Sequence, residues 1–388
     1  MRLLRIQAEG FPLFKGTLDI PFITQQRVTE DDKCALFHLS KNPDIYTNTA
    51  VAVIGINASG KTSVLKLIRL ALGILSCENI NEIESKTVLC GATAAVLRIC
   101  FLDNRGFVCL LETKITSETA DGNTLYSITE ESLREKPLSK VKTKGSLTSF
   151  ENIRPVEVRE GIASLYSGIS FIILHNSRNH DSISYDSLLS FTNVNVLPSI
   201  ENIPLEVVTF LDPTIEHLFF RKNGNGVSIH LKFFRSEEII LTNLRELELY
   251  LSSGTIKGIL TFTKIRSALQ SGGYLILDEI ENHFNREIVA SIIRFFLDSD
   301  FNRNGATLVF ATHYPELLDE YDRNDGIFIT RNTDRITMEN LSSILGRNDI
   351  KKSDAYQSGL LKGTTPLYES YINLKRVLAE SMKKTGVS

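Results

Sequence analysis

Between an apolar run and a stretch of helical periodicity, the sequence carries Gly55-Ile-Asn-Ala-Ser-Gly-Lys-Thr62, which fits the pattern G-x-x-x-x-G-K-[ST]. Glycines permit dihedrals that turn several backbone N–H groups toward one hollow, and a helix beginning there adds its positive end, so the loop suits a phosphate chain. Gly55, Asn57, Ala58, Ser59, Gly60, Lys61, Thr62 and Ser63 are the expected nucleotide-binding residues, with Lys61 reaching the β- and γ-phosphates and the Thr62 hydroxyl on Mg²⁺. A second set lies in GGYLILDEIENHF, where an apolar strand delivers Asp278 as a metal-holding carboxylate and Glu279 as the group that orients or deprotonates water. Leu251 to Thr255, LSSGT, precedes a helix and offers Ser252 and Gly254 as a second anion site. TLVFATHYPELLD ends a strand at Thr312-His313 and sets an imidazole where it can sense phosphate. Alone, each of the last three has a plainer reading: a capped strand, a Ser/Thr helix cap and a structural histidine.

These groups need a scaffold. VAVI before the loop reads as a buried strand, and Ser63 to Leu75 as a helix with one broad buried face. LLRIQAEGFPLFKGTLDIPF reads as strand, turn and strand, and AAVLRICFLDNRGFVCLLETKI as a hairpin turned at Asp103 to Gly106. From about Lys114 to Asn223 polar residues dominate and REKPLSKVKTKGS looks like a basic loop, which suggests an insertion containing one short buried strand, GISFIILH. SIENIPLEVVTFLDPTIEHLFF mixes helix and strand, and GVSIHLKFF and EEIILTN return to strand-like alternation. A helix from Thr255 to Gln270, strand YLILD, a helix from Arg286 to Leu297 and strand TLVFAT then imply a parallel sheet with crossover helices. The expected division is 1–115 and 225–335 for two halves of one α/β head, 116–224 for an inserted α+β segment that senses a partner or ligand, and 336–388 for a helical tail.

The 42% apolar content supports a real core, and a formal charge of −3 advertises no overall basic field for nucleic acid. Five cysteines without C-x-x-C spacing read as reduced thiols. Arg2 and Arg5 interrupt the start where a signal peptide needs an apolar run, and no apolar stretch is long enough to span a bilayer, so a cytoplasmic location is expected.

In combination, GINASGKTSVLKLI, SSGTIKGILTF, LILDEIENHFN and FATHYPELLD resemble the ABC-type P-loop ATPase heads, and within them the RecF/OLD-like branch of chromosome-maintenance and phage-defence ATPases. GRNDIKKSDAYQSGLLKGTTP, Gly346 to Pro366, is similar to the closing segment of AbiL/RloA-type ATPases of abortive-infection systems. The resemblance covers roughly residues 1–115 and 225–366. It implies a mixed sheet with an N-terminal antiparallel β subdomain, ATP and Mg²⁺ as cofactors, and a homodimer or higher homo-oligomer with ATP at the interface. Lys61 and Thr62 of one protomer would hold ATP while Ser252 and Gly254 of another close over the γ-phosphate. Asp278 would hold the metal through water, Glu279 would be the catalytic base, His313 the switch histidine, and Glu281 to Asn285 a loop crossing the interface. The family's glutamine between loop and LSSGT is missing, since residues 63–250 contain no Gln. His175 or Asn176 could stand there, or no residue does; slow turnover, suited to a sensor, would follow. The implied function is an ATPase switch controlling a co-encoded toxin or nuclease in anti-phage defence. The alternatives are a RecF-like repair ATPase with DNA or RNA as partner, using Lys136, Lys140, Lys142 and Lys144, and a nucleotide-dependent scaffold that hardly hydrolyses.

Overall fold

A strand buried at every position must be covered on both faces, and Ala50–Ile54 is such a strand. In the computed structural model, which describes residues 1–41, 44–159, 167–189, 203–223, 226–282, 284–364 and 368–385, its pleat divides two cores. Val51 and Val53 enter one, while Ala50, Ala52 and Ile54 enter the other. The same alternation sends Ile276 and Val309 to the first core and Leu275, Leu277, Leu308 and Phe310 to the second. These strands belong to a six-stranded sheet ordered Tyr185–Leu188, Tyr274–Leu277, Thr307–Thr312, Ala50–Ile54, Ile327–Asn332 and Ile336–Asn340. Its neighbours run parallel except for the final antiparallel pair.

A second six-stranded sheet is antiparallel, ordered Leu18–Pro21, Arg2–Glu9, Ala94–Leu102, Phe107–Ala120, Asn123–Pro137 and Glu157–Arg159. Helix Lys61–Leu75 lies between the two sheets, since Leu65 and Ile68 share one core with Leu97 and Leu111 on one side and Val51 and Val309 on the other. The expectation of one buried face is therefore corrected. Burial reaches nearly all round this helix because both sheets need its apolar surface. Helices Ser253–Ser271 and Arg286–Leu297 cover the far side of the parallel sheet. A three-stranded sheet, Ile215–Asn223, Gly226–Phe233 and Ile239–Leu241, packs into the same core with helix Leu205–Leu211.

Three readings of the middle and end of the chain change. Phe107–Ala120 pairs along its length with Asn123–Pro137, so the polar texture after residue 116 belongs to a long hairpin and no element ends there. Arg134 to Pro137 of the supposed basic loop sit in that strand. GISFIILH is not a strand: Ile172–Asn179 is a helix, started where the buried Glu131 carboxylate accepts the Ser170 hydroxyl at 2.6 Å and the Phe171 N–H at 2.8 Å. A short apolar run carries no periodicity able to make that distinction. The tail begins with strand Ile336–Asn340, and helix Lys352–Gln357 is pinned by Ser353 Oγ donating to Asp319 at 2.6 Å. The Lys351 to Leu361 region thus packs on the head, and Pro366 lies outside the described residues. Residues 160–166 and 190–202 of the supposed insertion also lie outside them.

The two sheets are tied together at the first strand. Its ladder slips between Leu3 and Arg5, and the Leu3 N–H donates instead to the buried Tyr274 hydroxyl at 2.8 Å. Tyr274→Phe should leave that buried donor unsatisfied and cost about 1–3 kcal/mol. Urea unfolding measures it, and an unchanged midpoint would show that the link carries no stability.

Candidate active site

The loop after Ile54 is shaped by what surrounds it. At Gly55 a Cβ would stand 2.6 Å from the Thr330 carbonyl oxygen, and at Gly60 one would stand 2.5 Å from the Ile336 side chain. Ala58 and Gly60 take left-handed backbone, φ 61° and 98°, a pattern that gathers N–H groups into an anion-binding nest. Gly60 starts helix Lys61–Leu75 and supplies no side-chain cap, so the first-turn donors stay open to an anion. Strand Ile327–Asn332 braces the loop from the side: Thr330 Oγ1 lies 2.9 Å from Ser59 Oγ, and Asn332 Nδ2 donates to the Ala58 carbonyl at 3.1 Å.

The loop, from Asn57 to Ser63, forms one wall of a pocket of about 490 Å³ that Glu279 and His313 enter from two other strands. Leu13, Asn332 and Ile336 complete it. No motif marks these three. Leu13 arrives because its carbonyl accepts the Ile336 N–H at 2.9 Å, and Asn332 because its strand is the parallel neighbour of Ala50–Ile54.

Lys61 is almost fully buried, and its ammonium donates to the carbonyls of Gly55 at 2.9 Å and Ile56 at 3.2 Å and to His313 Nδ1 at 3.1 Å. An ammonium only donates, so Nδ1 accepts and the imidazole proton sits on Nε2, 3.8 Å from Glu279 Oε1. Burial lowers the Lys61 pKa below the ordinary lysine value, against the pull of the carboxylates of Glu281, Asp278 and Glu279. Burial raises the Asp278 pKa, the Thr62 hydroxyl bonded to it opposes the rise, and Glu279 adds to it. Asp278 Oδ1 has no partner among the described residues. A hydroxyl beside a buried carboxylate with an unpartnered oxygen fits a small hard cation such as Mg²⁺. Glu279 holds a left-handed backbone, φ 45°, and accepts from Asn282 Nδ2 at 2.6 Å. That conformation is strained for a residue with a side chain.

Ser252 and Gly254 do not line this pocket. Ser252 caps helix Ser253–Ser271, its Oγ accepting the Thr255 N–H at 3.0 Å. In the loop after Glu279, Glu281 and Phe284 are buried, Glu281 accepts the His313 N–H, and Asn285 caps helix Arg286–Leu297. His283 lies outside the described residues. His175 and Asn176 cannot serve the pocket. Asn176 Nδ2 donates to the Leu75 carbonyl at 2.9 Å, at the far end of the helix that Lys61 begins, roughly 21 Å away at about 1.5 Å per residue. Of the supposed basic patch, Lys136 donates to the Ser146 carbonyl at 2.6 Å, and Lys144 to Thr24 Oγ1 and the Gln26 carbonyl at 3.0 Å each. The patch is partly spent on the chain's own turns.

A parallel sheet places the phosphate loop, the Asp-Glu strand end and the histidine strand end side by side, while an antiparallel sheet covers the loop's helix and a serine caps the helix before the acidic strand. This is a mixed α/β, P-loop NTPase fold. Residues 131–319, a little under half of the chain, match the family described as "AAA domain, putative AbiEii toxin, Type IV TA system". The matched span contains Ser252, Asp278, Glu279 and His313 and omits the phosphate loop. No curated protein matches the sequence. Among solved structures, the SMC head domain from Thermotoga maritima is similar at 12% identity and a TM-score of 0.42, over 88% of this chain and 99% of that one. The recombination mediator protein RecF with ATP is similar at 11% identity and a TM-score of 0.41, over 87% and 97%. No helix among the described residues is long and apolar enough to cross a membrane. The five cysteines are free thiols, with Cys34 and Cys90 exposed.

The raised pKa of Asp278 gives a signed expectation for this head. Its charged form costs stability above the folded-state pKa, and the cost is relieved as pH falls through that value. Asp278→Asn should therefore raise the melting temperature in metal-free, nucleotide-free buffer at neutral pH, with the gain shrinking on acidification. A lower melting temperature at neutral pH would show that the carboxylate is instead stabilised where it sits.

Proposed function

We propose that the chain binds ATP with Mg²⁺ and hydrolyses it as one half of a face-to-face pair, and that closing and reopening this pair is a switch acting on a partner protein. The observation that carries the reading is the convergence of Lys61, Thr62, Glu279 and His313 on one pocket, with Asp278 bonded to Thr62 beside it, from which Ser252 and Gly254 are absent. The helix N-terminus with small residues at Ser252 to Gly254 of another copy would add donors over the γ-phosphate to those of Lys61 and His313.

The steps follow from the donors and acceptors present. Backbone N–H groups around Ala58 to Lys61 take the phosphate oxygens, and Lys61 exchanges part of its bonding to Gly55, Ile56 and His313 for the β- and γ-phosphates. Mg²⁺, when bound, would neutralise phosphate charge, with Thr62 and Asp278 holding it. Glu279, its carboxylate steadied by Asn282, takes a proton from the attacking water. His313, relieved of Lys61, can turn its nitrogens to the γ-phosphate and report whether it is present. Ser252 and Gly254 of the partner subunit would close the site, making hydrolysis depend on assembly.

As to the output, the description of the matched family names a "putative AbiEii toxin, Type IV TA system", and our reading is that the switch controls a toxin or nuclease partner in anti-phage defence. A RecF-like reading with DNA or RNA as partner stands beside this one: Lys136 and Lys144 donate within the chain, whereas Lys140 and Lys142 are exposed.

Lys61→Ala should weaken ATP binding by about 100-fold or more, whereas Glu279→Gln should keep binding and slow turnover by about 10²–10⁴. Comparable multiple-turnover rates for wild type and Glu279→Gln would remove Glu279 from its role and leave a scaffold. Ser252→Arg should keep monomer binding of ATP yet abolish ATP-dependent dimerisation, as read by light scattering. Dimerisation that survives this change would remove Ser252 from the interface.

A further inference from the structure

At the opposite end of helix Lys61–Leu75 from the ATP pocket lies a cluster that the ATPase chemistry does not use. Asp103, from the turn between strands Ala94–Leu102 and Phe107–Ala120, Cys109 and its cross-strand partner Glu135, and His175 of helix Ile172–Asn179 offer ligand atoms all within 4.8 Å of one another. Asp181, just past that helix, is not one of those four and adjoins them at His175. His175 and Asp181 are more than nine-tenths buried, yet His175 Nε2 and Asp181 Oδ2 have no hydrogen-bond partner among the described residues. The two unpartnered atoms face each other at 3.4 Å, and Asp103 Oδ2 lies 3.9 Å from the same imidazole nitrogen and 4.0 Å from Cys109 Sγ. Ligand atoms around a tetrahedral zinc ion stand ~3.3–3.7 Å apart, given bonds of ~2.0–2.3 Å. Those three spacings come within a few tenths of an ångström of that, and the others among Asp103, Cys109, Glu135 and His175 stay within 4.8 Å.

We propose that this cluster is a structural site for a zinc-like divalent transition ion, ligated by His175 Nε2, Cys109 Sγ, Asp103 and Asp181. Thiol and imidazole favour such an ion over Mg²⁺ or Ca²⁺. Glu135 has the outer role: His175 Nδ1 has Asn179 Nδ2 at 3.3 Å and Glu135 Oε1 at 3.2 Å, and when an ion takes the Nε2 lone pair the proton moves to Nδ1, where the Glu135 carboxylate is placed to accept it. Charge points the same way. The carboxylates of Asp103, Glu135 and Asp181 outnumber the two cations near them among the described residues, the Arg105 guanidinium, which donates to Asp103 at 2.7 Å and Glu135 at 2.8 Å, and the Met1 ammonium, which feels Asp181 and Asp103. Buried excess negative charge is costly unless a cation shares the site. On binding, the Cys109 thiol proton passes to solvent and the thiolate takes its place on the ion. The ion would join the hairpin, the long strand Asn123–Pro137 and helix Ile172–Asn179 at one point.

The test uses the full chain purified without chelators. Elemental analysis should find about one Zn²⁺ per chain, and Co²⁺ added after chelator treatment should give the near-ultraviolet charge-transfer band of a thiolate ligand. Cys109→Ser should lose that band while retaining its circular dichroism, His175→Ala should weaken Co²⁺ binding by about 100-fold or more, and Glu135→Gln by about 10- to 100-fold. Asp278→Asn, at the ATP pocket, should leave the cobalt spectrum unchanged. If Cys109→Ser or His175→Ala fails to fold, the wild-type spectrum and Glu135→Gln decide. Wild type that binds neither ion saturably, or binding that Cys109→Ser, His175→Ala and Glu135→Gln leave untouched, would overturn the proposal and make the cluster a polar network of the chain's own side chains.

Discussion

One buried ammonium organises the pocket. Lys61 sits at the start of a helix with its side chain folded back over the loop, held by the Gly55 and Ile56 carbonyls and the His313 imidazole, and surrounded by the carboxylates of Asp278, Glu279 and Glu281. Desolvation disfavours its charge and the carboxylates restore part of the loss. A phosphate chain relieves the same imbalance better than the carbonyls do, because its charge and lone pairs meet the ammonium directly. The bond to His313 also couples the loop to the histidine strand, so whatever draws Lys61 away frees the imidazole.

Holding that ammonium in place requires a rigid floor, which the two-sided packing of helix Lys61–Leu75 provides. A helix with one wet face could shift along the sheet. This one is gripped by an antiparallel sheet on one side and a parallel sheet on the other, with core side chains from both in contact with it. The neighbouring strand Ile327–Asn332 then locks the loop through Thr330 and Asn332, and the close approach of Ile336 permits only glycine at position 60.

Much of this was legible in the residues. Alternation and apolar runs placed the strands Ala50–Ile54, Tyr274–Leu277 and Thr307–Thr312, and the helices after the first two, because strands covered on both faces leave a strong signal. Burial of helix Lys61–Leu75 on both sides was hidden, since a pattern within one segment does not show how many partners it will have. The short run at Ile172–Asn179 was misread for a related reason: what decides helix over strand there is a capping carboxylate from Glu131, distant in sequence. Thr330, Asn332, Leu13 and Ile336 carry no local mark of function and become pocket residues only through sheet order. His175 illustrates the converse, a residue conspicuous by type that the chain folds away from the ATP pocket into a separate cluster.

The central claim is that each ATP pocket is finished by a second copy. Mixing two variants tests it most directly: Lys61→Ala, which spoils its own loop but keeps Ser252, and Ser252→Arg, which keeps its loop but spoils the surface it offers. Each alone should be inactive, and the mixture should recover a substantial part of wild-type ATP hydrolysis, because the mixed pair holds one intact composite site. Full hydrolysis by Ser252→Arg alone, or a mixture of well-folded variants as inactive as its components, would contradict the account.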